Sequence, residues 1–149
     1  MDQTRRVKIK KLCAGATIPT YGSAAAAGAD IYACTQGEAV TIAPHTTALI
    51  HTGIALAIPD GLVGLVYARS GIASKRDLAP ANKVGVIDSD YRGELMVALH
   101  NHGEKPQTVE DGERIAQMVI TPYITASFEP AESLDGTERG EGGFGSTGK

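Results

Sequence analysis

The stretch Gly85-Val86-Ile87-Asp88-Ser89-Asp90-Tyr91-Arg92-Gly93-Glu94-Leu95 decides how this chain is read. Two apolar runs, Val84 to Ile87 and Leu95 to Leu99, flank a polar insert that closes at Gly93. That pattern predicts a β-hairpin with a loop of several residues. Asp90 and Gly93 are ordinary turn residues, because Asp bonds its own backbone and Gly accepts positive φ. Asp88 is different. It directly follows Val86-Ile87, where a strand end is still half-buried, and a carboxylate in the mouth of a fold is well placed for proton transfer. From these residues alone the insert reads first as a solvated tip, with a functional loop as the second reading.

The neighbouring sequence repeats the strand signature. Upstream, Leu62 to Tyr67 returns from the turn Pro59-Asp60-Gly61, and His45–Thr52 and Ile54–Ile58 read as two strands separated by Gly53. Val7 to Leu12 alternates apolar and basic residues with the period of a half-buried strand, and Ala29–Cys34 and Ala39–Ile42 are two more. Between them Ala14 to Gly28 is a loop, its Ala24–Ala27 run bracketed by Gly22 and Gly28. Ser70 to Lys75 is the one short helix, with Ser70 or Ser74 as its cap. Downstream, Thr108-Val109 precedes the turn Asp111-Gly112 and the long run Arg114 to Ile124, where Pro122 marks an edge or a bend. Many short strands at close spacing predict an all-β, jelly-roll-like sandwich or barrel. The predicted division is a β-domain over 1–135 and a mobile glycine-rich arm over 136–149.

Composition narrows the function. With 149 residues, the chain suits one domain able to bury about 70% of its unfolded surface. It is 42% hydrophobic and 21% charged with a net charge of −3, a balance that argues against a stable nucleic-acid complex through a basic face. The basic residues are scattered, apart from Arg5, Arg6, Lys8, Lys10 and Lys11. No apolar run approaches the ~18 residues needed to cross a bilayer, and the N-terminus has no signal-peptide core. Cys13 and Cys34 have neither C-x-x-C spacing nor company, so no disulfide framework or zinc site is expected. His100 and His102 read as solvated positions at a strand end. A reduced, cytoplasmic compartment is the expectation.

The tail is chemically distinct. Gly136 to Gly148 contains nothing that builds a core, and composition alone reads it as a disordered terminus. Yet its glycines let backbone N–H groups crowd an anion, Arg139 offers a fork matched to phosphate, and Ser146 and Thr147 add hydroxyls. Phe144 is a lone aromatic that could stack on a base. The segment is not a Walker A loop, since no Gly-Lys-Ser/Thr is present. It reads as a tail that closes over a nucleotide.

Five motifs together resemble the trimeric dUTPases, the deoxyuridine triphosphate nucleotidohydrolases. They are Ala27-Gly28-Ala29-Asp30-Ile31-Tyr32-Ala33, Ala68-Arg69-Ser70-Gly71-Ile72-Ala73-Ser74, Gly85 to Glu94, Gly112-Glu113-Arg114-Ile115-Ala116-Gln117, and Arg139 to Gly148. Each is short, but five in family order across most of the chain are specific. Asp77, where related sequences often carry a small residue, is the one noticeable departure, and a surface position is expected for it.

The resemblance implies hydrolysis of dUTP to dUMP and pyrophosphate, limiting uracil in DNA and supplying dUMP for thymidylate synthesis. Asp88 matches the general base that activates water for in-line attack on the α-phosphorus. Mg²⁺ would clamp the triphosphate, with Asp30 matching the carboxylate that holds its water shell. Arg69, Ser70 and Gly71 match the phosphate-binding loop, and Gln117 a side chain near the phosphates. Arg114 resembles a structural or interface residue. Uracil would be read by the backbone around Val86, Ile87 and Met96 and by the Asn82 side chain, while Tyr91 would pack under the deoxyribose. Ordinary packing remains the other reading of Tyr91. From the tail, Arg139 would reach the γ-phosphate and Phe144, Gly145 and Ser146 would close over the nucleotide. A homotrimer with shared sites is implied. A dCTP deaminase of similar fold and a non-enzymatic β-sandwich module are the rivals. Ammonia release from dCTP would mark the first, and absence of dUTP turnover the second.

Overall fold

Short apolar and alternating runs separated by turn residues make this chain a set of short strands, and the computed structural model, which describes residues 4–145, contains eleven strands and one helix among them. In chain order they are β1 (Lys8–Lys11), β2 (Thr20–Tyr21), β3 (Ala29–Tyr32), β4 (Val40–Ile42), β5 (Thr47–Ala57), β6 (Leu62–Tyr67), α1 (Ser70–Arg76), β7 (Leu78–Pro80), β8 (Gly85–Ile87), β9 (Glu94–Asn101), β10 (Gln107–Val109) and β11 (Arg114–Pro122). One sheet has the order β1-β5-β9-β7, a second β2-β3-β11-β6-β8, and a two-stranded ribbon joins β10 to β4. All pairings are antiparallel, and both large sheets keep open edges, so the all-β expectation resolves to a sandwich without a closed barrel.

β9 shows the logic most plainly. Its residues alternate half-buried and buried along the whole strand, and Leu95, Val97 and Leu99 point into the core. They join Ile31, Ile42, Ile50, Ile54, Leu78 and Ile115, all within about one per cent of complete burial, in a single cluster drawn from all three β-layers. Asn101 ends the strand with no exposed surface. Its amide nitrogen donates to the carbonyls of Ile42 (3.0 Å) and Lys105 (2.8 Å), and its oxygen accepts from the Gly103 N–H (2.9 Å), so no polar group is orphaned.

Several sequence expectations need correction. β8 and β9 do not form a hairpin: β8 pairs with β6, whereas β9 pairs with β5 and β7 in the other sheet. The loop from Asp88 to Gly93 therefore crosses between the layers. A loop of that length suits either route, and local pattern does not choose between them. Gly53 does not separate two strands either. β5 runs unbroken through it, with Gly53 at φ +67° in a bulge where the register to β9 shifts.

Neither Ser70 nor Ser74 caps α1. Arg69 is its N-cap, without a side-chain cap bond, and the Ser74 hydroxyl donates to the Ser70 carbonyl (2.7 Å). The helix stops at Asp77, exposed as expected, in the left-handed region at φ 54°. Arg76 in its last turn is held by Glu113 and by Gln107 Oε1 (3.3 Å). Finally, the fold brings Cys13 and Cys34 together sulfur to sulfur as a disulfide pair, their Cα atoms 7.9 Å apart, against Gly53. The turn after β1 meets the end of β3 there, which no spacing rule for cysteines contains. Among the described residues no helix is long and apolar enough to cross a membrane.

Candidate active site

Where β8 and β9 part into different sheets, the space between them is a pocket of about 240 Å³, lined by Leu49, Val86, Ile87, Asp88, Tyr91, Glu94, Leu95 and Met96. It is smaller than the roughly 300–1,000 Å³ that encloses a whole drug-sized ligand. It suits one part of a larger molecule, a base or a sugar. Apolar side chains from both sheets make its walls. The Val86 side chain is exposed on the edge strand β8, with edge backbone groups available beside it.

Asp88 stands at the mouth. The expectation that it is half-buried fails: the residue is exposed, because β8 ends at Ile87 and the chain turns away, with the Tyr91 N–H donating to the Asp88 carbonyl (3.2 Å). Tyr91 is anchored by its hydroxyl, which donates to the Glu94 carbonyl at 2.9 Å. Its ring passes so close to Gly93 that a Cβ there would lie 2.6 Å from Tyr91 Cζ, so a side chain at position 93 would push the ring out of place.

Glu94 is the most connected residue of the pocket. Oε2 meets His51 Nδ1 at 2.9 Å, and Oε1 accepts the Gly53 N–H at 2.8 Å. Partial burial raises its pKa, but the His51 ring and the Gly53 amide outweigh that and hold the carboxyl below its ordinary value. The group is therefore an acceptor at neutral pH, and His51 Nδ1 is the donor.

A second constellation lies elsewhere. Asp30 on β3 is buried, and its carboxylate accepts from Arg69 Nε (2.8 Å) and from an Arg114 terminal nitrogen (3.2 Å). Gln117 faces Asp30 across the β3–β11 ladder and donates from Nε2 to the Ala68 carbonyl (2.9 Å). Gly28 is pinned beneath it, since a Cβ there would lie 2.6 Å from Gln117 Oε1. Ser70 and Gly71, both exposed, open α1 beside Arg69. Both Asp30 oxygens are engaged, and among the described residues no group of three or more His, Cys, Asp or Glu side chains gathers as direct metal ligands. Each carboxylate oxygen still has a lone pair for a water. The donor set thus fits a magnesium ion held through its water shell, with other ligands from a bound molecule.

The sequence-predicted residues fall into three places. Asp88, Val86, Ile87, Tyr91 and Met96 meet at the pocket; Asp30, Arg69, Ser70, Gly71 and Gln117 meet at the second constellation, joined by Arg114. Asn82 sits in the turn before β8, outside the pocket lining, with its carbonyl accepting the Val84 N–H (2.7 Å). Arg139, Phe144 and Gly145 lie in an exposed segment beyond β11, where the Arg139 guanidinium bonds the Gly142 carbonyl (2.8 Å) and Phe144 is fully exposed. Ser146 lies outside the described residues. Leu49, Glu94 and Leu95 line the pocket without having been singled out. Glu94 carried a signal, as the only acid placed just after the Gly93 turn.

One further distance follows from strand geometry. Asp30 lies on β3 and Asp88 just past the end of β8 in the same sheet; three inter-strand steps separate β3 from β8, and Asp88 lies four residues along from the Asp30–Gln117–Tyr67 row. At ~4.8 Å per step and ~3.3 Å per residue, they are on the order of 15–20 Å apart.

Comparison with known proteins agrees with these features. The family model described as dUTPase matches residues 14–148. The deoxyuridine 5'-triphosphate nucleotidohydrolase of Syntrophotalea carbinolica is 48% identical over 146 residues, covering 98% of this chain and 99% of that one. Its counterpart from Salmonella arizonae is 48% identical over 133 residues, covering 89% and 87%. Among solved structures, a mutant of the Staphylococcus phage 80alpha dUTPase superposes with a TM-score of 0.86 at 33% identity, over 98% and 99% of the chains. Another mutant of that protein, solved with dUpNHpp, has a TM-score of 0.84 at 31% identity, over 98% and 100%. A dUTPase mutant from phage phi11, 26% identical with a TM-score of 0.79 over 89% and 100%, coordinates a structural Mg(II) ion. On its motifs, its fold and these matches, the chain belongs to the dUTPase family.

Proposed function

We propose that Asp88 is the general base of a dUTP-hydrolysing site assembled between copies of this chain. The reaction is that of the family: dUTP and water give dUMP and pyrophosphate. Uracil and deoxyribose occupy the pocket between β8 and β9, with backbone groups of Val86, Ile87 and Met96 pairing with the base. Tyr91 closes the sugar side, and the Asn82 side chain would swing in from the preceding turn, since it stands outside the pocket lining. The exposed Asp88 carboxylate takes a proton from water as the water oxygen bonds to the α-phosphorus. The bond to the α–β bridging oxygen breaks, and pyrophosphate leaves with that electron pair.

The observation that carries the assembly is the separation of the two constellations. A general base must lie within roughly 3 Å of the proton it removes. At 15–20 Å, Asp88 and the Asp30 cluster of one chain cannot serve the same α-phosphate. Arg69, Ser70, Gly71 and Gln117 at one site therefore come from a second copy. Arg69 spends only Nε on Asp30, leaving its terminal nitrogens for phosphate oxygens. A head-to-tail contact of this kind closes into a ring, and a homotrimer is the ring that the family resemblance implies. The exposed C-terminal segment that carries Arg139, Phe144 and Gly145, followed in sequence by Ser146, is the arm that closes over a neighbour's site. Asp30 would hold a Mg²⁺ ion through its water shell, and the ion would supply charge neutralisation for the triphosphate. A dUTP substrate also places the protein inside the cell.

The deciding assay is pyrophosphate release from dUTP, dCTP, dTTP and UTP, with ammonia monitored alongside. Release from dUTP alone is expected, and Asp88→Asn should slow it roughly 10²–10⁴-fold, the usual contribution of a general base. Turnover by Asp88→Asn within tenfold of the parent would show that another group takes the proton.

A further inference from the structure

The bulge in β5 is held from the pocket side. Between the pairs His51↔Met96 and Ala55↔Glu94, three residues of β5 stand opposite Leu95 alone. Extra residues in a strand lose ladder partners, and buried amides need replacements. Side chains supply them: the Gly53 N–H donates to Glu94 Oε1, and the Thr52 hydroxyl donates to the Leu95 carbonyl. From behind, the Leu12 N–H donates to the Gly53 carbonyl at 2.7 Å. There is no slack, since a Cβ on Gly53 would lie 2.5 Å from Cys13 Sγ and 2.9 Å from Ala16 Cβ. Glu94 joins this bulge to Tyr91 through its own carbonyl.

We propose that Glu94 is a positioning residue for the nucleotide pocket, its carboxylate and the His51 ring locking the β5 bulge so that Leu49 and Tyr91 hold the pocket at fixed width. Leu49 lies two residues before His51 on the same face of β5, so a shift of the bulge moves it directly. The carboxylate itself is spent on His51 and Gly53 of β5, which makes its effect one on binding. The inference rests on the pocket taking dUTP.

Steady-state kinetics on dUTP with Glu94→Ala, Glu94→Gln and His51→Ala test it, with dUMP affinity measured by calorimetry. Loss of binding shared by ground and transition states raises KM and leaves kcat alone. Glu94→Ala should raise KM and weaken dUMP binding about tenfold, the scale of one charge-assisted hydrogen bond. Its kcat should stay within about twofold. Glu94→Gln keeps an oxygen for the Gly53 N–H and should return KM to within about threefold of the parent. His51→Ala, on an exposed ring, should raise KM about threefold and decides the matter if Glu94→Ala does not fold. A KM unmoved in both Glu94→Ala and His51→Ala, or a loss confined to kcat, would overturn the proposal. A parent protein that leaves dUTP untouched would sink the substrate reading instead, so the two failures are distinct.

Discussion

Replacing Asp30 by Asn separates two jobs that one carboxylate can do. If Asp30 served only the water shell of a metal, the unliganded protein would be indifferent to the change. The structure instead gives it two guanidinium partners, Arg69 at 2.8 Å and Arg114 at 3.2 Å, with the Asp30 side chain 12% exposed. Hydrogen bonds to charged partners contribute roughly 1.5–3 kcal/mol when shielded. The Arg69 pair qualifies, its side chain being 24% exposed, whereas Arg114 is 51% exposed and counts as a surface pair of about 0–1 kcal/mol. Asn keeps one neutral acceptor, so the net loss is about 2 kcal/mol. For a domain of this size each kcal/mol moves the midpoint by about 2–4 °C, giving a fall of roughly 4–8 °C. The assay is thermal unfolding without nucleotide and with chelator, at one fixed protein concentration because assembly shifts midpoints by mass action. A midpoint within 1–2 °C of the parent, on the same scale, would refute the argument and leave Asp30 a metal residue alone.

Three other perturbations follow from the geometry. Asn101→Ala should cost about 2–3 kcal/mol in urea denaturation, because it strips partners from the buried Ile42 carbonyl and the Gly103 amide. Gly28→Ala should lower dUTP turnover with little effect on folding, since its new methyl displaces the Gln117 amide 2.6 Å away; unchanged kinetics would mean Gln117 is not needed where it stands. Acidification should destabilise the fold in two stages. Slight desolvation of the exposed His102 ring, with Lys83, His100 and His45 nearby, holds it below its ordinary 6.5 against the pull of Asp77, so the unfolded chain takes up that proton first and stability begins to fall slightly near pH 6.5. Asp111, held down by the Thr35 and Gly37 amides, and Glu94 both sit below their ordinary 3.8 and 4.5; their contribution is full above those values and disappears as pH drops through the lower folded ones. Denaturation midpoints from pH 8 to 3 would show a rise on acidification if the signs were wrong.

Much of the fold is legible because strand period is a local property. β3, β6, β9 and β11 fall where alternation or apolar runs place them, and the turn at Pro59-Asp60-Gly61 sits where its chemistry demands. Partnership is not local, which is why Val86 and Met96 read as hairpin neighbours although their strands lie in different sheets. Gly53 reads as a breaker because its positive φ is visible in its identity, while the Glu94 side chain that lets the strand continue lies 41 residues away. The serines of α1 looked like caps, but Arg69 occupies that position and turns its side chain to Asp30. The motif residues were identifiable one by one. Their sorting into two distant groups, and the tie from Asp30 to Arg114 across 84 residues, depends on ladder register that no window of sequence contains.

The parting of β8 from β9 has a mechanical consequence. The two strands share no ladder, so the cleft between them is a seam between independently bonded layers. A molecule seated there stitches one layer to the other, doing from outside what a hairpin would have done from within. Nucleotide should therefore slow amide exchange along β5 and β9 as much as along β6 and β8, although only a few of those residues touch it.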